Sequence, residues 1–151
     1  MPKFFITGGA GFIGSHICEN IFNNFPNSKI VILDKLTYAA NKKFLKNIYP
    51  NKRVKFIKGD LLDSKKYSKD LKNFDYAINV AAESHVNRSF SNSILFTKTN
   101  TLGAHVFVQA CLENNVKKII HISTDEIYGE VLKSSSTENS KINPTNPYSA
   151  S

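Results

Sequence analysis

Residues 7–14 read Thr-Gly-Gly-Ala-Gly-Phe-Ile-Gly, or TGGAGFIG in one-letter code. A short apolar run precedes this segment and an amphipathic pattern with helical spacing follows it, which predicts a strand, a tight turn and a helix. Gly8, Gly11 and Gly14 are spaced by three residues across that turn. Glycine there permits the turn itself, the approach of a phosphate group to the backbone and close packing of helix on sheet. Free N–H groups at the start of the helix would face such a phosphate.

The rest of the chain repeats this alternation of short apolar runs and longer amphipathic segments. Strands nearly continuous in Ile, Val and Phe are typical of a parallel sheet that is covered on both faces. The sequence therefore predicts an α/β protein with a doubly wound parallel sheet, the Rossmann fold, in strand order 3-2-1-4-5. Ligands of such a sheet bind in the crevice at the carboxyl ends of strands 1 and 4. The predicted strands are 3–7, 29–33, 54–58, 76–80 and 118–123, and the clearest predicted helices are 12–22 and 93–115.

Acidic residues follow two of the predicted strands. Asp34 ends the second strand, twenty residues after Gly14, where a carboxylate accepts hydrogen bonds from both ribose hydroxyls of a dinucleotide. Such a carboxylate repels a 2′-phosphate and favours NAD over NADP, although Lys35 beside it is able to tolerate that phosphate. After the third strand, Asp60 and the Leu61 amide are candidates to contact an adenine ring. An ordinary helix N-cap by Asp60 fits the spacing equally well.

Small residues and a pair of carboxylates follow the last two strands. Ala81 and Ala82 suit a chain that passes beside a cofactor, or simply tight packing. Residues 123–129 read STDEIYG, so that Asp125 and Glu126 are adjacent at the end of strand 5. Partial burial and mutual repulsion would push their pKa values apart into an acid and a base, the pair that elimination of water requires. The alternative is a capping Asp followed by a Glu that faces solvent.

Tyr148 stands in the terminal segment PYSAS. A tyrosine acts as a base only if a nearby ammonium lowers its pKa from about 10. A lysine one helical turn later would do so, and that position is residue 152, one beyond Ser151. We therefore expect that the sequence stops just before a Tyr-x-x-x-Lys pair is complete.

Composition excludes several classes of protein. A chain of 151 residues with 41% hydrophobic residues predicts one globular domain. The net charge of +8 comes mostly from lysines that are spread along the chain without a basic block, which indicates solvated faces and attraction for phosphorylated small molecules, with no nucleic-acid partner. No apolar run or leader pattern suggests a membrane, so a cytoplasmic protein is expected. Cys18 and Cys111 are predicted to be reduced core thiols, and no metal site is expected.

Taken in order, these segments resemble the extended short-chain dehydrogenase/reductases, and among them the nucleotide-sugar 4,6-dehydratases of the dTDP-glucose type. The resemblance covers nearly the whole chain through TGGAGFIG, DKLTYA at 34–39, AAESHVNRS at 81–89, TN at 99–100, STDEIYG and NPYSAS. Related nucleotide-sugar epimerases and decarboxylases share the glycines and the tyrosine but usually lack the Thr-Asp-Glu run. An epimerase or decarboxylase on the same scaffold, or a non-catalytic NAD-binding remnant, remain the alternatives.

The resemblance also implies roles for individual residues. Tyr148 would take the proton from the glucose 4-hydroxyl as hydride moves to NAD, Glu126 would remove the C5 proton, and Asp125 would protonate the departing 6-hydroxyl. The product would be a 4-keto-6-deoxy sugar, as in rhamnose-type deoxysugar biosynthesis. Ser84 and Thr124 would contact the sugar, although Ser84 also fits an ordinary loop hydroxyl. The implied cofactor contacts, beyond the three glycines, are Phe12, Ile13, Asp34, Lys35, Leu36, Thr37, Asp60, Leu61, Ala81, Ala82 and Thr99.

Two features depart from that family. Asn87 stands where the family usually has Asp, near the loop that would face the sugar. The family's chains are also about twice as long. The resemblance therefore implies that residues 1–151 are an incomplete NAD-binding domain, truncated before the last strands and the substrate domain, inactive alone and homodimeric when full length.

Overall fold

The computed structural model describes residues 1–131 and 135–151. Five parallel strands form one sheet in the order β3-β2-β1-β4-β5, which confirms the predicted doubly wound topology. β4 and β5 end earlier than predicted, and β2 includes Asp34. The strands are β1 Lys3–Thr7, β2 Lys29–Asp34, β3 Val54–Lys58, β4 Tyr76–Asn79 and β5 Lys118–His121.

The central strands are apolar throughout because both faces of the sheet are covered. Phe5 of β1 pairs with Val31 and Ala77, and these three side chains belong to one buried cluster. The neighbouring residue Ile6 pairs with Ile32 and belongs to a second cluster on the opposite face. Because successive strand residues point to opposite faces, β1 serves both halves of the core.

The connections between strands are less regular than the sequence predicts. The predicted helix 12–22 is α1, Phe12–Asn24, whereas the β2–β3 connection contains only a 3₁₀ turn, Lys42–Leu45. A 3₁₀ turn Ser64–Lys66 and the short helix α2, Ser68–Leu71, join β3 to β4. After β5 come a 3₁₀ turn, Asp125–Tyr128, and the helix α6, Pro147–Ala150.

The predicted helix 93–115 is wrong as a single α-helix. It comprises α4, Ser93–Phe96, a π-helical segment, Thr97–Gly103, and α5, Ala104–Glu113. A further helix, α3, Val86–Ser91, precedes it and was not predicted. The spacing of apolar residues identifies the segment as helical. It does not distinguish an α-helix from a π-helix, because the two place side chains at nearly the same angles over a single turn.

β5 forms an edge of the sheet in the described chain. Ile120 and Ile122 are 36% and 40% exposed, although their sequence pattern is that of a covered strand. None of the helices in residues 1–131 and 135–151 has both the length and the apolar character needed to cross a bilayer.

Candidate functional site

In the glycine turn after β1, backbone contacts leave no room for a side chain at Gly8 or Gly14. Gly8 has φ +66°, and a Cβ on it would lie 2.7 Å from the backbone of Ala81. A Cβ on Gly14 would collide with the carbonyl oxygen of Gly8. Gly11, the N-cap of α1, is less restricted, since its Cβ would stand 3.2 Å from that same oxygen. The turn therefore keeps the start of α1 against the end of β1, as the spacing of the glycines predicts.

Gly9 was not assigned a role from the sequence. A Cβ on it would lie 2.5 Å from Cγ2 of Ile32 and 3.1 Å from the Cys18 sulfur, so glycine is needed there for packing. On the outer side of the turn, Phe12 and Ile13 are 72% and 57% exposed at the first positions of α1. The Phe12 ring lies against that of His16, with centroids 4.8 Å apart.

Asp34 connects the end of β2 to the glycine turn. Its carboxylate is buried and accepts hydrogen bonds from the backbone N–H of Ala10 at 2.9 Å and of Leu36 at 2.7 Å. One bond reaches each oxygen, and a carboxylate oxygen has two lone pairs. Both oxygens therefore retain the capacity to accept a further hydrogen bond, as a ribose diol requires.

The Lys35 ammonium forms an ion pair with the Asp60 carboxylate. Their Nζ and Oδ2 atoms are 2.8 Å apart, and Asp60 Oδ1 also accepts the Leu62 N–H at 3.0 Å. Partial burial by itself would raise the pKa of the Asp60 carboxyl, but the bonds from Lys35 and Leu62 outweigh it and lower the pKa. The alternative that Asp60 is an ordinary helix N-cap is wrong. Asp63 occupies the N-cap of the next helical element, the 3₁₀ turn Ser64–Lys66.

A buried hydrogen-bond network supports the floor of the crevice. Thr7 Oγ1 donates to Asn79 Oδ1 and accepts from the N–H groups of Val80 and Ala81, each at 3.2 Å. Asn79 Nδ2 donates to Nδ1 of His121 at 3.0 Å. These contacts hold Ala81 against Gly8. The sequence feature that could have indicated this network is the presence of polar residues, Thr7 and Asn79, inside apolar strands.

The predicted catalytic residues Thr124, Asp125 and Glu126 follow β5. Thr124 caps the 3₁₀ turn by accepting the Glu126 N–H at 3.2 Å. Glu126 is half-buried and its Oε2 accepts a bond from Asn146 Nδ2 at 3.0 Å, whereas Asp125 is exposed. Capping by Thr124 and the contact with Asn146 therefore fix Glu126 more firmly than its neighbour.

Asn146 also begins the helix that carries Tyr148. Its Oδ1 accepts the Ser149 N–H at 2.8 Å, and the Ser149 hydroxyl bonds back to the backbone of Asn146. The Tyr148 ring stands edge-on to Phe96 of α4, with centroids 6.2 Å apart. One asparagine thus connects Glu126 to the first turn of α6, a role that sequence reasoning missed.

An open depression of about 570 Å³ lies beside the two carboxylates. Its lining includes Asp125, Glu126, Tyr128, Gly129 and Thr145. Gly129 has φ +75°, and a Cβ there would collide with the Asn143 carbonyl, so glycine is needed for this close approach of the two segments. Neither Tyr148 nor the exposed Ser84 belongs to the lining.

Asn100 of the π-helical segment anchors the loop after β4. Its Oδ1 accepts the Glu83 N–H at 2.8 Å, and its Nδ2 donates to the Glu83 carbonyl and to Ser151 Oγ, both at 2.9 Å. The predicted contact Thr99 is half-buried next to it. A side chain that bonds both backbone groups of one residue fixes the path of that loop.

A parallel doubly wound sheet, a glycine turn without room for side chains and an acidic end to β2 define a Rossmann-type nucleotide-binding domain. Residues 5–151 match the family model described as GDP-mannose 4,6 dehydratase, and the chain belongs to that family.

Similar proteins include the dTDP-D-glucose 4,6-dehydratases of Dictyostelium discoideum and Homo sapiens. They are 44% and 42% identical over 100% and 99% of this chain, which covers 38% and 43% of their own length. The Streptomyces venezuelae dTDP-glucose 4,6-dehydratase DesIV, solved with NAD bound, superposes with a TM-score of 0.91 at 37% identity over 98% of this chain and 47% of that one. A UDP-N-acetylglucosamine 4-epimerase from Methanobrevibacter ruminantium superposes with a TM-score of 0.89 at 32% identity, over 99% of this chain and 46% of that one. The chain thus spans less than half the length of these relatives.

Proposed function

We propose that this chain is the cofactor-binding part of an NAD-dependent hydro-lyase that converts a nucleoside-diphosphate glucose into its 4-keto-6-deoxy sugar. The observation that carries the proposal is the placement of Thr124, Asp125 and Glu126 at the carboxyl end of β5, tied through Asn146 to the helix of Tyr148. The relatives called dTDP-glucose 4,6-dehydratases support the same chemistry.

The crevice fits NAD because the glycines of its turn carry no side chain that would keep a pyrophosphate from the backbone, and Asp34 retains acceptor capacity for a ribose. NAD held there would supply a hydride acceptor for the oxidation at sugar C4 and a hydride donor for the reduction at C6. The buried carboxylate of Asp34 disfavours a 2′-phosphate, and Lys35 is engaged by Asp60, so NADP is the poorer ligand.

Each of the three proposed catalytic side chains carries out one proton transfer. Tyr148 accepts the proton of the 4-hydroxyl, and the ketone that results acidifies the hydrogen on C5. Glu126 removes that C5 proton, while Asp125 protonates the departing 6-hydroxyl so that water leaves. Thr124 and Ser84 contact the sugar.

We further propose a cytoplasmic homodimer for the longer protein, with the activity dependent on residues beyond this chain. Free buried thiols at Cys18 and Cys111 support a reducing compartment. Apolar side chains exposed on the helices between β4 and β5, among them Phe90, Ile94, Leu102 and Leu112, support an interface there.

The test is product analysis with dTDP-glucose and with UDP-glucose, using the 151-residue chain beside a version extended by the coding sequence that follows. A 4-keto-6-deoxy product from the extended version, formed with loss of one water, supports the proposal. A 4-epimer or a decarboxylated sugar would replace it with the epimerase or decarboxylase alternative. Equal turnover by both versions would contradict the dependence on further residues.

A further inference from the structure

The loop of residues 35–41 passes over the glycine turn in a disfavoured conformation. Leu36 has φ +58°, in the left-handed region that a branched side chain rarely occupies. Its N–H donates to Asp34 Oδ1, and at the far end the Asn41 N–H donates to the Ala10 carbonyl at 2.8 Å. Such strain persists only where surrounding contacts hold the backbone in place, and it concentrates at functional sites.

Tyr38, near the middle of this loop, makes the third holding contact. Its hydroxyl donates to Oε2 of Glu83 at 2.9 Å, joining residues 45 positions apart in the chain. Tyr38 itself is 54% exposed, whereas Glu83 is 7% exposed. The loop after β2 is thereby bonded to the loop after β4, across the end of β1 that lies between those strands.

Glu83 is the fixed side of this contact. Asn100 bonds its N–H and its carbonyl, which sets the position of the Glu83 backbone independently of Tyr38. Within residues 1–131 and 135–151, Glu83 forms no ion pair. A buried carboxylate without a cation depends on its hydrogen-bond donors, so the Tyr38 hydroxyl matters to it.

Two further side chains lie against the Tyr38 ring. The Arg88 guanidinium of α3 lies over the ring, 3.8 Å from its centroid, and the His85 ring is 5.9 Å away. An arginine stacked on a tyrosine face attracts it electrostatically and restricts its movement. Burial and the Glu83 carboxylate raise the pKa of Tyr38, which keeps its hydroxyl protonated as a donor.

We propose that Tyr38, Glu83 and Arg88 form a strap that holds loop 35–41 in the shape that binds the adenosine half of NAD before the cofactor arrives. The strap rests on the proposed NAD site and adds positioning residues to it. Asp34, Lys35 and Thr37 belong to or adjoin the loop that it fixes. A loop ordered in advance loses less conformational freedom on binding, so the affinity rises without any new contact to the ligand.

The experiment measures NAD affinity by calorimetry for the wild-type protein and for Tyr38→Phe. The substitution removes one hydroxyl from a half-exposed ring, and we expect the dissociation constant to rise about three- to tenfold. Tyr76→Phe is the matched control, because Tyr76 lies at the amino end of β4, the end away from loop 35–41, and stacks on Phe4. Its dissociation constant should equal that of the wild type.

Hydrogen exchange of the backbone amides of loop 35–41 separates preorganisation from a general loss of stability. Wild-type amides should be protected with and without NAD, whereas those of Tyr38→Phe should be protected only with NAD. Equal affinity and equal protection in the two proteins would overturn the strap while leaving the NAD site intact. Absence of NAD binding by the wild type would overturn the proposed function and the strap with it.

Discussion

Asp34 has a structural role in addition to the ligand role that we propose for it. Its two oxygens receive the N–H groups of Ala10 and Leu36, so the carboxylate stabilises the glycine turn and the following loop even without a ligand. Sequence reasoning assigned it to a ribose and did not foresee this second role. A residue with both roles is expected to affect folding and binding together.

Asp34→Asn tests that expectation. The amide offers one acceptor oxygen and turns an N–H₂ toward a backbone donor, so one buried hydrogen bond is lost. We expect unfolding free energy to fall by about 1–3 kcal/mol and NAD affinity to fall at least about tenfold. Denaturant unfolding and calorimetry measure the two effects. Asp63→Asn is the control, because Asp63 is exposed and makes no capping bond; an equal loss there would contradict the account.

The two cysteines lead to a prediction about pH. Burial raises the pKa of both thiols to about 12, and the charge of Asp34 adds to the effect at Cys18. Because the folded-state pKa exceeds the ordinary 9.0, their contribution to stability is complete below pH 9 and is lost as the pH rises toward 12. At pH 8 a thiol reagent should label neither cysteine in the native protein and both after unfolding. Rapid labelling of the native protein would contradict their burial.

At the scale of elements, α6 is a short helix whose position depends on its cap. Asn146 accepts the Ser149 N–H with its oxygen and donates to Glu126 with its nitrogen. An isolated helix of four residues is unstable, so these bonds and its packing determine its geometry. The proposed base Glu126 and the helix of Tyr148 are therefore connected through one side chain, that of Asn146.

The substitution Asn146→Asp keeps the capping bond from the Ser149 N–H and removes the bond from Asn146 to Glu126. Asp caps a helix as well as Asn does, so thermal stability should change little. The new carboxylate faces Glu126 in place of a donor and makes its ionisation less favourable, so the acid limb of the pH–rate profile of the extended enzyme should move to higher pH. Asn51→Asp, which alters an exposed turn that bonds Arg53, is the control and should leave the profile unchanged. If the pH–rate profile of Asn146→Asp equals that of the wild type, Glu126 does not take part in the rate-limiting proton transfer.

For the whole molecule, the exposed β5 edge is the main consequence of the fold. The described chain pairs β5 only with β4, and Ile120 and Ile122 are partly open to solvent. Unpaired backbone groups beside apolar side chains favour pairing with another chain. The 151-residue protein is therefore expected to self-associate.

Light scattering across a range of protein concentrations measures that association. Ile122→Lys places a charge beside the edge and should reduce the association, because an edge lysine opposes strand pairing. Ile142→Lys is the control, since Ile142 is 62% exposed outside any strand and its substitution should leave the association unchanged. A monomer at all concentrations in the wild type would contradict the prediction.

Comparison of the predicted and observed elements shows where local pattern is sufficient. The five strands and α1 were predicted because each depends on a pattern of apolar residues within a short segment, nearly continuous in the strands and at helical spacing in α1. The π-helical segment Thr97–Gly103 was missed because it depends on which carbonyl each N–H selects. His121 alternates with Ile120 and Ile122 in the sequence as a core residue would, but it is exposed on the edge strand, where Asn79 donates to its Nδ1 atom.

The sequence by itself determined the parallel sheet, the glycine turn and the acidic end of β2, because these features arise from neighbouring residues. It also placed Asp125, Glu126 and Tyr148 as catalytic candidates, and these assignments stay predictions. Only the tertiary structure decided which polar side chains meet: Tyr38 with Glu83, Asn100 with Glu83 and Ser151, and Asn146 with Glu126. Such residues look like ordinary loop residues in the sequence, since their partners are brought near only when the carboxyl ends of the parallel strands gather at one edge.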